Sequence, residues 1–357
     1  MMIELWPLRK VMKKFVLIPV CLLFLAATEA MATQAVHLDS MNNPAGCAGC
    51  HRGHGKRGTS MLVTDKQDIC FHCHGLTDPN NGSRARNDMY TVFQKRYRHP
   101  VLETGMYHSA VEELPEKSPV TPRHAACQDC HSVHMSEVSN PTKGARGYKK
   151  GRTRSEEAKE EYELCYRCHS ESANLPVDEK NKEDEFDLAN PSYHPVEGRG
   201  RNTTVRSLRP PYDVSSRISC SDCHGNNDPF GPKGPHGSDY EFILKKQYVM
   251  TEAAEGPNTY ELCYACHDRQ SILRNESFQK HNEHVVFNYT PCAACHNPHG
   301  SRTNQHLIDF DNRFVARSPM PSYMPSPTGR PMCMLTCHVG GRDIVHDNAF
   351  YTSKKWP

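Results

Sequence analysis

Residues 292 to 301 read Cys292-Ala-Ala-Cys295-His296-Asn-Pro-His299-Gly-Ser301, and the first five positions recur throughout the chain. The other copies are Cys47-Ala-Gly-Cys50-His51, Cys70-Phe-His-Cys73-His74, Cys127-Gln-Asp-Cys130-His131, Cys165-Tyr-Arg-Cys168-His169, Cys220-Ser-Asp-Cys223-His224 and Cys263-Tyr-Ala-Cys266-His267. A last copy, Cys333-Met-Leu-Thr-Cys337-His338, carries one extra spacer residue. Together these eight motifs take up sixteen of the seventeen cysteines. With 22 histidines in 357 residues, one follows a given cysteine pair by accident about once in sixteen, so eight in eight is no coincidence.

Each motif is an attachment site for haem c. The two thiols add to the porphyrin vinyl groups, and the adjacent histidine becomes the proximal ligand of the iron. Eight motifs predict eight covalently attached haems. Zinc knuckles also use paired cysteines, but zinc does not require a histidine after every pair. Disulfides fit no better, because a two-residue ring cannot staple distant elements.

The remaining cysteine, Cys21, lies in a leader. Lys13 and Lys14 precede an apolar run from Phe15 to Ala27, and small residues follow, as a secretory signal peptide requires. The run is short for a membrane span and contains Pro19. Residues 1–32 therefore read as a signal peptide starting at Met12, cleaved after Ala30 or Ala32. Val20 is too bulky for Cys21 to be a lipidation site. The expected product is exported, to the periplasm or the outer-membrane surface and beyond, which suits haem attachment outside the cytoplasmic membrane. Once the leader is removed, basic and acidic residues balance, so nucleic-acid binding is not indicated.

Composition predicts an unusual fold. Only 37% of residues are apolar, cysteine included, and there are 26 prolines. Eight haems would leave about forty residues to wrap each one. The expectation is a haem-nucleated chain, mostly irregular with short α-helices and little or no β-sheet. Polar segments such as Glu161-Tyr-Glu-Leu-Cys165 and Thr259-Tyr-Glu-Leu-Cys263 predict one- to three-turn helices running into the second motif of a pair.

The motifs group into four dihaem repeats, 33–95, 96–190, 191–280 and 281–357. Each repeat opens on a head histidine: His37, His99, His194 or His284. Each also has a tail histidine shortly after its first motif: His54, His134, His236 or His299. Eight haems need eight distal ligands, and these eight histidines supply them. His72, His108, His124, His281, His306 and His346 remain as bystanders or substitutes, and spacing alone does not separate His281 from His284. The 14 methionines show no register with the motifs.

This pattern resembles the multihaem cytochromes built from doubled Cys-x-x-Cys-His motifs, over about His37 to His346. The resemblance implies respiratory electron transfer, periplasmic or beyond the outer membrane. Implied partners are redox proteins: other cytochromes, an inner-membrane quinol-oxidising complex or an outer-membrane conduit. Bis-histidine iron is closed to substrate and performs one-electron transfer. Close attachment points predict a wire of haems along an elongated protein. Two alternatives stand beside it. One is an oxidoreductase of the nitrite, hydroxylamine or tetrathionate type with one open haem, although the Cys-x-x-Cys-Lys site common in octahaem nitrite reductases is absent here. The other is self-assembly into a filament or conduit. Lys143 to Arg154, with six basic residues, reads as a solvated loop or a docking patch, and the proline-rich Arg317 to Pro331 as an extended wrap.

Overall fold

A computed structural model describes residues 35–53, 61–64, 66–75, 87–103, 108, 112–117, 122–177, 179–317, 320–325, 331–339 and 342–346. The leader and His54 lie outside these residues, and only the backbone of His338 and His346 is described.

The chain is mostly irregular, with eight short helices among the described residues. They are α1 (Lys66–His74), α2 (Met89–Val92), α3 (Cys127–Cys130), α4 (Glu161–His169), α5 (Lys182–Phe186), α6 (Cys220–Cys223), α7 (Glu261–Tyr264) and α8 (Arg269–Leu273). Helices α1 and α4 run through a whole second motif, whereas α7 is a single turn. The first motifs are shorter still: α3, α6 and the 3-10 turns Gly46–Gly49 and Cys292–Ala294. Even there, one helical bond carries the histidine back over the first cysteine. His51, His131, His224 and His296 each donate a backbone N–H to the carbonyl of Cys47, Cys127, Cys220 and Cys292, at 2.8 to 2.9 Å. The spacer aspartates secure two of these turns. Asp129 accepts from the Ala126 N–H at 2.8 Å, and Asp222 from the Ser219 N–H at 2.7 Å.

Among the described residues, nine short strands form four small sheets: β1 (Tyr97–Arg98), β2 (Gly147–Lys149), β3 (Thr153–Ser155), β4 (Ser192–Tyr193), β5 (Gly237–Ser238), β6 (Gly300–Ser301), β7 (Ser322–Met324), β8 (Met332–Val339) and β9 (Arg342–His346). Two of the sheets stitch the head of one repeat to the tail of the next. β1 pairs antiparallel with β5, and β4 with β6. The tails share the sequence Pro-His-Gly-Ser, and each position has a structural reason. A Cβ on Gly237 would collide with the Val92 carbonyl, and one on Gly300 with the Glu185 carbonyl. The buried hydroxyls of Ser238 and Ser301 donate to Leu244 O and Ile308 O, each at 2.6 Å.

Among the described residues, apolar side chains gather in three small clusters: Tyr148, Tyr166, Phe186 and Val196; Tyr260, Tyr264 and Val285; Ala294, Phe314, Val315 and Leu335. Each packs against motif cysteines: Cys220, then Cys263 and Cys292, then Cys295, Cys333 and Cys337. No helix among the described residues is long and apolar enough to cross a membrane.

One expected loop is ordered. Lys143 to Arg154 holds the hairpin β2–β3, turned at Gly151 with φ of +70°. Its charges are held locally: Lys150 pairs with Asp187 at 2.8 Å, Lys143 contacts Glu137, and the Arg152 guanidinium lies 4.9 Å from the Tyr148 ring centre. Those contacts fix what composition alone reads as a free basic loop. The start of the proline-rich wrap likewise becomes β7, paired with β8, and 326–330 lie outside the described residues.

Gly300→Ala should strain the β4–β6 contact and lower stability by about 1–3 kcal/mol, the usual cost of overpacking a tight site. Thermal unfolding followed at the haem absorption band checks this. An unchanged melting temperature would mean that the close approach is not needed.

Candidate haem-binding site

The motif histidines do not stand alone. Seven of them face a second imidazole across a gap of nearly constant width. The pairs are His51 with His134 at 6.1 Å between ring centres, His74 with His37 at 6.1 Å and His131 with His236 at 6.0 Å. Then come His169 with His99 at 6.4 Å, His224 with His299 at 6.3 Å, His267 with His194 at 6.4 Å and His296 with His281 at 6.3 Å. Two metal–imidazole bonds of about 2 Å each, plus about 1.15 Å from nitrogen to ring centre on either side, give about 6.3 Å. The residues present therefore fit an iron held between two imidazoles, with the neighbouring cysteine pair to anchor its porphyrin.

The ring nitrogens are set accordingly. Nδ1 of His99, His131, His224 and His296 meets the carbonyl oxygen of Pro235, Pro141, Phe242 and His306 at 2.6 to 2.9 Å. His37 Nδ1 meets Val133 O at 3.1 Å, and His194 Nδ1 meets Pro298 O. His169 Nδ1 meets Glu179 Oε1 at 2.8 Å, and His267 Nδ1 the Ser207 hydroxyl at 2.9 Å. Holding Nδ1 in this way leaves Nε2 for a metal. Burial disfavours the charged form of four of the paired rings. It pushes His224 and His267 down to about 4, and His236 and His281 down to about 3. Burial works the other way on Glu185, but His299, Lys182 and Asn297 around it hold its carboxylate down to about 2.

Which repeat supplies each partner follows one rule. Head histidines stay home: His37, His99 and His194 face the second motif of their own repeat, at His74, His169 and His267. Tail histidines are handed back: His134, His236 and His299 face the first motif of the preceding repeat, at His51, His131 and His224. The stitching contacts produce this exchange. His99 N–H donates to His236 O at 3.2 Å, His194 N–H to His299 O at 3.0 Å, and Val36 N–H to Ser136 O at 3.0 Å.

In the fourth repeat a histidine of the same repeat takes the place of a tail. His281 faces His296, whereas His284 stacks on Phe278 and holds Nδ1 against Lys280 O at 2.8 Å. The sequence treats these two histidines as interchangeable; the structure gives them different places. His284 lies within a π-helical turn, Glu283–Phe287, and His281 precedes it.

The cysteines trace a path through the molecule. Thiols of Cys70 and Cys127, of Cys165 and Cys220, and of Cys263 and Cys292 are in hydrogen-bonding contact. These contacts join the second motif of each repeat to the first motif of the next. Within a repeat, the stitched head and tail backbones place the two imidazole pairs side by side. Motifs consecutive in sequence are thus consecutive in space from the first to the seventh. Cys295 packs with Cys333 and Cys337 in one apolar cluster, which extends the series to the eighth.

The eighth motif differs. It lies on the strand β8, bonded to β7 at Cys333 and to β9 at Cys337. Side chains alternate along a strand, so only an even separation puts both thiols on one face. The extra spacer residue supplies that separation. Four strand residues span about 13 Å, more than twice the reach of an i,i+3 pair on a helix. Thioether bonds at both cysteines therefore require this strand to give up its extended form.

Substituting His281 by alanine should open one iron to carbon monoxide in the reduced protein, at the haem attached through Cys292 and Cys295. His284→Ala should leave that iron closed. Carbon monoxide difference spectra combined with the electron paramagnetic resonance of the oxidised protein check the assignment; no new carbon monoxide site in His281→Ala would remove it.

Two matches to known families agree with this geometry. Residues 151–307 match the model of outer membrane cytochrome MtrC/MtrF-like, domains II/IV. Residues 41–78 and 118–174 match the doubled CXXCH motif. No curated protein and no solved structure matches the chain significantly. Attachment motifs and family matches together place the chain among the multihaem c-type cytochromes, with haems bound covalently at doubled Cys-x-x-Cys-His motifs.

Proposed function

We propose that the chain is an octahaem electron-transfer protein, a wire of bis-histidine haems rather than an enzyme. The observation that carries this reading is the uniform 6.0 to 6.4 Å separation of seven imidazole pairs, arranged in sequence order. An iron held on both sides has no position for oxygen or substrate, so its chemistry is one-electron exchange. The haem supplies that redox chemistry. The protein residues fix its axial ligands, set the polarity around it and hold neighbouring sites close.

On this reading His51, His74, His131, His169, His224, His267, His296 and His338 are the proximal ligands. The head histidines His37, His99, His194 and His284 serve the second, fourth, sixth and eighth haems. The tails His134, His236 and His299 serve the first, third and fifth, and His281 the seventh. His54, outside the described residues, is then left without a haem in its own chain.

The match over residues 151–307 to an outer-membrane cytochrome supports a site of action at the outer membrane or beyond it, reached through the leader. Partners would be other cytochromes, an inner-membrane quinol-oxidising complex upstream and an outer-membrane conduit or extracellular acceptor downstream. The balanced charge gives no reason to expect nucleic acid.

Two measurements test the proposal on the purified holoprotein. Intact mass should show eight haem additions; seven would mean that the Cys333 motif stays empty. Dithionite reduction followed by carbon monoxide should leave the spectrum unchanged. A shift worth one haem would instead mark an open iron and turn the reading toward a reductase.

A further inference from the structure

We propose that His108, Glu116 and His124 form a site for one divalent transition-metal ion, distinct from every haem iron. The three residues are eight positions apart in sequence and lie in the connection between His99 and the third motif. Their ligand atoms all fall within 4.8 Å of one another, and their side chains are 1%, 5% and 3% exposed. His108 Nε2 and the Glu116 carboxylate oxygen are 3.0 Å apart, and the same oxygen meets His124 Nδ1.

This cluster cannot be another haem pair. The His108 and His124 rings stack at 4.3 Å, too close for the roughly 6.3 Å that an iron between two imidazoles needs. Two imidazoles and one carboxylate converging on a point are instead a first coordination shell suited to zinc or a related divalent ion, with a fourth position left for water.

The surroundings fit the same chemistry. Asp129 Oδ2 meets His108 Nδ1 at 2.8 Å, on the ring edge away from Glu116. A carboxylate behind a ligating histidine fixes its tautomer and orientation. Asp129 is itself held, by the Ala126 N–H at 2.8 Å and by Arg167 at 3.3 Å. It sits between Cys127 and Cys130, and Arg167 between Cys165 and Cys168. The ion would therefore fasten the 101–126 connection, which has no regular structure among its described residues, to the third and fourth motifs. A structural metal can do this where an apolar core is thin.

The test uses the haem-loaded protein, washed with chelator and then dialysed against zinc or cobalt(II). Expected is one bound ion per chain by elemental analysis, a nitrogen and oxygen shell without sulfur by zinc X-ray absorption, and a higher melting temperature. His124→Ala and Glu116→Gln should lose the ion while keeping the full haem count. Asp129→Asn should bind it about 10–100-fold more weakly, as expected for a lost outer-shell partner. Wild-type protein that takes up neither ion at one per chain overturns the proposal. So does zinc bound undiminished in both substituted proteins. Haem content measured on each sample separates loss of the ion from failure to mature.

Discussion

An iron between two imidazoles draws the rings to a fixed distance, and in this protein the two rings seldom come from neighbouring residues. His134 reaches back 83 positions to His51, and His236 reaches back 105 to His131. Each of the first three repeats would thus offer its first attachment site half a coordination shell and depend on the next repeat for the other half. The three apolar clusters are too small and too separate to impose this order themselves. Metal–ligand bonds would be the long-range contacts of the fold, and the short strands β1–β5 and β4–β6 the means of aligning them. Coupling of ligation to folding follows, since ligands brought from far apart in sequence are organised only in the folded state.

The same exchange explains how electrons could travel. Between successive motifs the contact alternates in kind. Within a repeat it passes through joined histidine backbones, such as His99 with His236. Between repeats it passes through cysteine pairs, such as Cys165 with Cys220. Neither kind of contact requires a moving part. Imidazoles whose Nδ1 is held by a protein partner would leave little to rearrange when an iron changes charge, as a site for fast one-electron exchange requires.

Much of this was legible in the sequence, because covalent attachment writes itself as Cys-x-x-Cys-His. The four-fold repeat and its two histidines per unit could also be read, and so could the scarcity of regular structure. Pairing could not be read. A tail histidine has the same local sequence whether it turns toward its own motif or toward the preceding one. The direction is visible only in the long-range backbone contacts: β1 with β5, β4 with β6, and Val36 with Ser136. The choice between His281 and His284 was invisible for a similar reason: three residues are nearly one helical turn, and a π-helical turn at that point overrides the spacing. The cluster of His108, Glu116 and His124 repeats nowhere else in the chain, so a search for periodicity passes over it. Its trace in the sequence is a carboxylate midway between two histidines.

The two departures from the repeat rule fall at adjacent motifs, the seventh and the eighth. At the seventh, the second imidazole comes from the same repeat, from His281. At the eighth, β8 stands where the other motifs have a helical turn, and one more residue separates the two cysteines. Alternation puts both thiols on one face of the strand, but too far apart for one porphyrin, so attachment at both would draw this segment into a tighter form. In its extended form β8 lies between β7 and β9, and this unit closes on its own hydrogen bonds where the earlier ones close on the next repeat.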